Sequence, residues 1–177
     1  MYEATSTNML LEPIEYKVTE TPAGVWRAHL SPGGQMFQEY TSHATLMGIP
    51  LVHYTSGRCP ETGRRKVARG VIAVGRVAVG VVAIGQASLG LVAIGQLALG
   101  VILGLGQAAT GMACIGQLAI AGWFAFGQIA LGYVAIGQFG VGHYVLAQIG
   151  IGSHVFDTRG AAPAAVQFFQ QFLPWIK

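Results

Sequence analysis

Two patterns of apolar and polar positions divide the chain. Up to about residue 69 they mix in short alternations. Ile14-Glu15-Tyr16-Lys17-Val18-Thr19 alternates as a half-buried strand does. Phe37-Gln38-Glu39-Tyr40-Thr41 reads as a second short strand. Residues 46–54, LMGIPLVHY, are a third apolar segment, in which Pro50 favours an edge or a strand start. Turn chemistry separates these pieces at Ser31-Pro32-Gly33-Gly34 and at Cys59-Pro60-Glu61-Thr62-Gly63, which leads into Arg64-Arg65-Lys66. From Gly70 a five-residue beat takes over. Glycine stands at 70, 75, 80, 85, 90, 95 and 100, and no Asp, Glu, Lys or Arg lies between Arg76 and Asp157.

Helix geometry does not suit that beat. Five residues advance an α-helix by about 500°, a net turn of about 140°, so the glycines scatter around it and form no packing face. Each would also destabilise a helix interior by about 1 kcal/mol. Loops between several membrane helices would carry Lys, Arg, Pro or Asn, and none stands between Val77 and Phe156. The tract is too apolar for disorder. In a β reading each pentad is x-Val-Ala-(Ile/Leu/Val)-Gly, as in Val81-Val82-Ala83-Ile84-Gly85. Alternation then sets Val82 and Ile84 on one side, expected to be the core, and Ala83 on the other. Glycine marks the bend between faces.

Glutamine supplies a longer spacing. Gln86, Gln96, Gln107, Gln117, Gln128, Gln138 and Gln148 follow one another at steps of ten or eleven. Pairing the steps gives a coil of about 21 residues: four pentads plus one inserted residue. The expectation is an all-β solenoid, a four-sided β-helix with coils near 65–85, 86–106, 107–127 and 128–147 and a partial one to about 157. Residues 1–64 form a small β-rich N-terminal capping region, and 158–177 a C-terminal capping helix. Solenoids need such caps to hide their open ends. In the helix Val166, Phe169 and Phe172-Leu173 make the apolar stripe, Pro163 sits in the first turn and Pro174 stops it. Gln86, Gln107, Gln128 and Gln148 would stack as one amide ladder and Gln96, Gln117 and Gln138 as a second, each amide donating to the coil above. A six-residue beat is absent, which removes the hexapeptide β-helix and its usual acyltransferase chemistry.

Composition sharpens this picture. The chain is 53% hydrophobic and 10% charged, with a formal charge of +3, against roughly a quarter charged in an ordinary soluble domain. Arg58, Arg64, Arg65, Lys66, Arg69 and Arg76 hold most of the basic charge. Cys59 and Cys114 form no metal or redox motif and read as reduced thiols. Residues 1–17 lack a basic start followed by an apolar run, so no signal peptide is expected. The expected location is cytoplasmic, or membrane-associated on the cytoplasmic side.

The pentads resemble those of pentapeptide-repeat β-helices, without the polar residues of that family's Asp/Asn positions. Gly48 to Gly75, GIPLVHYTSGRCPETGRRKVARGVIAVG, resembles the lead-in segment of a bacterial family known mainly as uncharacterised. Its members join a Gly-(Leu/Ile)-Pro-Leu-Val-His segment and a Pro-Glu-Thr-Gly-Arg turn to long Gly/Ala/aliphatic repeats. Ala165 to Lys177 is similar to that family's closing helix, and Gly-Gln stands here where the family pairs glycines. The resemblance implies no activity.

Catalytic chemistry finds little support. His43, His53, His143 and His154 match no zinc spacing, and His143 and His154, eleven apart, fall on different faces of a 21-residue coil. His53 is expected to make a structural hydrogen bond at the junction. The one aspartate, Asp157, leaves no Ser-His-Asp set, and no glycine run ends in Gly-Lys-Ser/Thr. No catalytic residue, cofactor, metal or small-molecule substrate is assigned. Arg58, Arg64, Arg65, Lys66 and Arg69 are candidates for contact with anionic lipid, and no aromatic interleaving points to nucleic acid. Leu91, Met112, Trp123, Tyr133 and His143, with Val81, are expected on an uncharged outer surface. Three function classes follow: a structural protein that self-associates through flat apolar faces into an oligomer or filament, a membrane-associated β-solenoid with lipid-facing sides, and a ligand-binding or enzymatic N-terminal region.

Overall fold

A computed structural model describes residues 14–31 and 33–175. Met1–Pro13 of the expected N-terminal cap, Pro32 of the expected turn, and Ile176 and Lys177 of the closing helix lie outside the described residues. The described chain is all-β apart from one short C-terminal helix. It forms two compact units, Met1–Gly85 and Gln86–Lys177.

The first unit begins with an antiparallel meander. β1 (Lys17–Thr21) pairs with β2 (Gly24–Leu30), β2 with β3 (Met36–Ser42), and β3 with β6 (Val52–Ser56). β2 was not expected, because Arg27 and His29 dilute its apolar alternation. The third apolar segment splits. β4 (Thr45–Leu46) and β5 (Ile49–Pro50) make a two-residue hairpin through Met47 and Gly48, both at positive φ, and β6 follows. Period-2 alternation gives the meander two unlike faces. Trp26, Tyr40 and Tyr54 are cross-strand neighbours on one, with Trp26 5.0 Å from Tyr40. Arg27, Glu39 and Thr55 are neighbours on the other. β7 (Ala68–Val74) then pairs parallel with β6, so the meander covers the first edge of the repeat.

β8 runs from Val77 to Asp157, 81 residues. Drawn straight, a strand that long would span roughly 270 Å. It instead returns alongside itself. Its start pairs parallel with β7 in the register Ala68↔Ala78, Ala73↔Ala83, an offset of ten. The same step recurs through the second unit. A Cβ on Gly116, Gly137, Gly142 or Gly152 would collide with the carbonyl oxygen of the glycine ten residues earlier. At Gly106 and Gly127 the colliding oxygen lies eleven residues earlier, on Gly95 and Gly116. These glycines keep negative or extended φ; they are required by close backbone approach, not by a left-handed turn.

Two expectations are corrected here. The lateral repeat is ten or eleven residues, not 21, so two pentads and not four return the chain to its starting register. The inside and outside are also reversed. Ala73, Ala78, Ala83, Ala93, Ala98, Ala119, Ala130 and Ala135 are wholly buried, while Val81, Ile84, Leu91, Leu99 and Ile120 are exposed and Val82 and Ile94 half-buried. The inserted residues fall between Ala98 and Ala109 and between Ala119 and Ala125, which keeps the buried row in line. Near the C-terminal end the row changes composition without losing volume. Gly140 lies where a Cβ would come 2.7 Å from Val145 Cγ1, and Gly150 2.5 Å from Val155 Cγ1. A glycine beside a valine replaces two alanines.

The last edge is closed by a turn, not by the helix. β9 (Gly160–Ala161) folds back antiparallel on Phe156–Asp157. Thr158 N–H and Oγ1 both donate to the Gln148 carbonyl, and Ala162 N–H to Val155 O. Asp157 Oδ2 accepts from Gly150 N–H, and Arg159 bonds both Asp157 and the Gly150 carbonyl. Edge groups of the final strand row thus find partners. α1 (Pro163–Gln170) lies instead against outward residues of successive rows: Phe124, Val134, Tyr144 and Phe156. Its buried residues are Ala165 and Phe169; Phe172, placed in the expected stripe, is exposed because the helix ends at Gln170.

Candidate interaction surface

At the junction with the repeat, β3, β6 and β7 bring one polar cluster together. Glu39 and His53 are diagonal neighbours on the covered face of the meander, both buried. Arg69 N–H donates to His53 Nδ1 at 2.9 Å. The ring proton therefore sits on Nε2, which donates to Glu39 Oε1 at 3.0 Å. Lys66 Nζ stands 2.5 Å from the same oxygen, and Arg27 Nη1 3.8 Å from Oε2. The hydrogen bond from His53, reinforced by Lys66 against the opposing effect of burial, holds the Glu39 carboxyl at about 2. Thr55 Oγ1 ties down the Lys66 carbonyl at 3.1 Å. Tyr16 donates to Glu61 at 2.9 Å, and burial together with that bond raises its hydroxyl pKa. The cluster is a joint between the meander and β7. Among the described residues no buried side-chain nitrogen or oxygen is left without a partner.

The basic candidates separate in this arrangement. Lys66 belongs to the joint. Arg58, Arg64, Arg65 and Arg69 are exposed, and Arg65 is close enough to Arg76 and Arg58 for their charges, after desolvation, to depress its pKa. No group of three metal-ligating side chains occurs among the described residues. Both cysteines are free and buried.

In the second unit the ten-residue register regroups the other candidates. The two expected glutamine ladders become one row. Gln86, Gln96, Gln107, Gln117 and Gln128 line a single shallow groove of about 520 Å³, together with Leu97, Ala108, Leu118 and Ile129. Gln138 and Gln148 continue at the same spacing, and all seven are exposed. Their amides bond neither to one another nor to the backbone of the next row. Leu91, Met112, Trp123, Tyr133 and His143 each stand five or six residues after a glutamine of the row, the first four exposed. Trp123 and Tyr133 stack at 5.0 Å, as do Tyr133 and His143. His143 and His154 are not held apart on different faces; the ten-residue step here sets His154 against Tyr144, with rings stacked at 5.2 Å, and brings it within 4.9 Å of the neighbouring His143 ring. Tyr144 stacks on Phe168 of α1 at 4.1 Å.

The rest of this unit's exterior is aliphatic. Leu89, Leu97, Leu99, Ile115, Ile120, Phe126, Ile129, Phe139, Ile149 and Ile151 are each more than a third exposed. No charged side chain interrupts them between Gln86 and Phe156. Sequence reasoning missed this surface by assigning these side chains to the core. The signal that could have found it is the small residue (Ala, Ser, Gly or Cys) kept at every buried position of the row from Ala68 to Gly140, beside the free variation of its neighbours among residues such as Val, Leu, Ile and Phe. No helix among the described residues is long and apolar enough to cross a membrane, which leaves strands out of account. No protein-family model, no curated protein and no solved structure matches this chain.

Proposed function

We propose that this chain is a non-enzymatic structural β-solenoid whose second unit sits in a lipid bilayer. In this reading β8 closes as a flattened, two-sided β-helix of ten or eleven residues per coil. Alanine fills the inside. Gly-Gln forms one bend and glycine with a variable residue the other. Three sides are then apolar and the fourth carries the glutamines.

The observation that carries the reading is the single unbroken strand that includes Gln86–Phe156, with large aliphatic side chains exposed along it and no charge among them. A bilayer admits only backbones whose polar groups are satisfied internally. Bends with unpaired peptide groups would be excluded; bends that stay in the ladder are not. About seven rows at a spacing of ~4.8 Å stack to roughly 33 Å, near the ~30 Å of a hydrocarbon core. In sequence, Arg58, Arg64, Arg65, Arg69 and Arg76 precede the charge-free stretch, and Asp157 and Arg159 follow it, a placement that suits headgroups on both sides.

A second reading is self-association in water through the flat faces. The seat of α1 on Phe124, Val134 and Tyr144 favours it, since it shows such a face accepting protein. Alkaline carbonate extraction of membranes from expressing cells separates the two. Retention in the pellet, release by detergent and a β-type circular dichroism spectrum are expected. Recovery as a discrete oligomer without detergent would favour self-association and overturn the bilayer reading.

A further inference from the structure

We infer that the glutamine row is the surface on which a second copy of this chain docks inside the bilayer. The inference rests on the lipid reading above. Each amide carries two donors and an acceptor, all seven side chains are exposed, and none bonds within the chain. In water such a row needs nothing further. In hydrocarbon every unpaired amide is costly, and polar side chains there associate. An amide is complementary to itself, so the row is complementary to its own copy. The neighbouring side chains leave room for the approach: in the lining of the groove the small Ala108 stands between Leu97 and Leu118 of the two adjacent rows.

Two copies inserted in the same direction relate by a two-fold axis along the membrane normal. That geometry sets each row against itself, Gln107 against the partner's Gln107. The partner is thus a second copy, parallel and in register. Lipid meets the remaining three sides.

Single cysteines at Gln107, Gln117 and Gln128 test this, in a background with Cys59→Ser and Cys114→Ala, by oxidation in native membranes and non-reducing electrophoresis. Leu91→Cys, at the opposite bend, is the control. Each row variant should cross-link to itself at about tenfold the yield of Leu91→Cys. Mixed pairs two rows apart, Gln107→Cys with Gln128→Cys, should not exceed the control. The triple variant Gln107→Leu, Gln117→Leu, Gln128→Leu should remain carbonate-resistant yet run as a monomer in mild detergent. Equal cross-linking at Gln107 and Leu91, a cross-link to a different protein, or a dimer that survives the triple change would overturn the inference. Wild-type protein absent from the membrane pellet would instead strike the lipid reading on which it depends.

Discussion

Gly127 and Gly122 look alike in the sequence and differ in what surrounds them. A Cβ at Gly127 would collide with the Gly116 carbonyl, whereas one at Gly122 meets only Met112 Sδ at 3.5 Å. Gly127→Ala should destabilise by about 2 kcal/mol, and Gly122→Ala by less than about 0.5, in thermal melts in detergent. The Gly140–Val145 pair makes a sharper statement. Val145→Ala leaves a void and should cost roughly 2 kcal/mol, and Gly140→Ala overpacks and should cost about 1–3. The double variant restores the alanine pair found elsewhere in the row. Its loss should fall short of the sum by about 1 kcal/mol or more, and strict additivity in the melts would refute the compensation. At the joint, Glu39 is depressed from 4.5 to about 2 in the folded chain. A depressed carboxyl stabilises the fold above its unfolded value, and that contribution is lost as pH falls from about 4.5 towards 2. Glu39→Gln should flatten the melting temperature over that range. Asp157, which its bonds to Arg159 hold at about 2, contributes to the slope that remains. The residue scale is only partly legible in the sequence. A structural hydrogen bond at His53 is, and the ring makes bonds to Glu39 and Arg69. Its partners are not, since Glu39 and Arg69 meet it only through strand register.

For β8 the sequence carried the right numbers and a wrong grouping. The glutamine steps of ten and eleven are themselves the row-to-row steps, as the Gly95–Gly106 and Gly106–Gly116 approaches show. Doubling them goes together with placing Val and Ile in the core, where the structure places alanine. Period 2 alone cannot say which face of a strand is the core when both are apolar. Size decides it: alanine fits between closely spaced segments, and isoleucine does not. Ala93→Asp should therefore abolish the β spectrum in detergent. Ile94→Asp should keep that spectrum and weaken carbonate-resistant retention in membranes. The reverse result would return Ile94 to the core. The caps followed a similar course. A C-terminal helix was expected from Pro163 and its phenylalanines and is present. The edge is nonetheless closed by the Asp157–Ala162 turn; Asp157-Thr158-Arg159-Gly160 reads as a turn in the sequence, but the bonds of its Asp157, Thr158 and Arg159 side chains to Gly150 and Gln148 arise only from the register.

At the scale of the molecule, an all-β repeat between a β-rich beginning and a helical end was legible in the sequence, and its partner was not. An exterior of Leu, Ile, Val and Phe reads identically in sequence whether protein or lipid covers it. The glutamine row tells more, because an uncharged polar stripe on an apolar body is useful only where something meets it. The ten-residue register has one further consequence, for length. With the first row held by β6 and the last by the Asp157–Ala162 turn, both ends are fixed fittings and the rows between them are interchangeable. Removing two pentads shortens the unit by one row, about 4.8 Å, and leaves every bend on its own side. Removing one pentad breaks the ten-residue register, which in the proposed two-sided coil moves each later glutamine to the opposite side and carries the seat of α1 with it. If the second unit sits in a bilayer as proposed, a lineage built on this plan would match a thinner or thicker one only in whole rows, and its insertions and deletions should come in tens and elevens and not in fives.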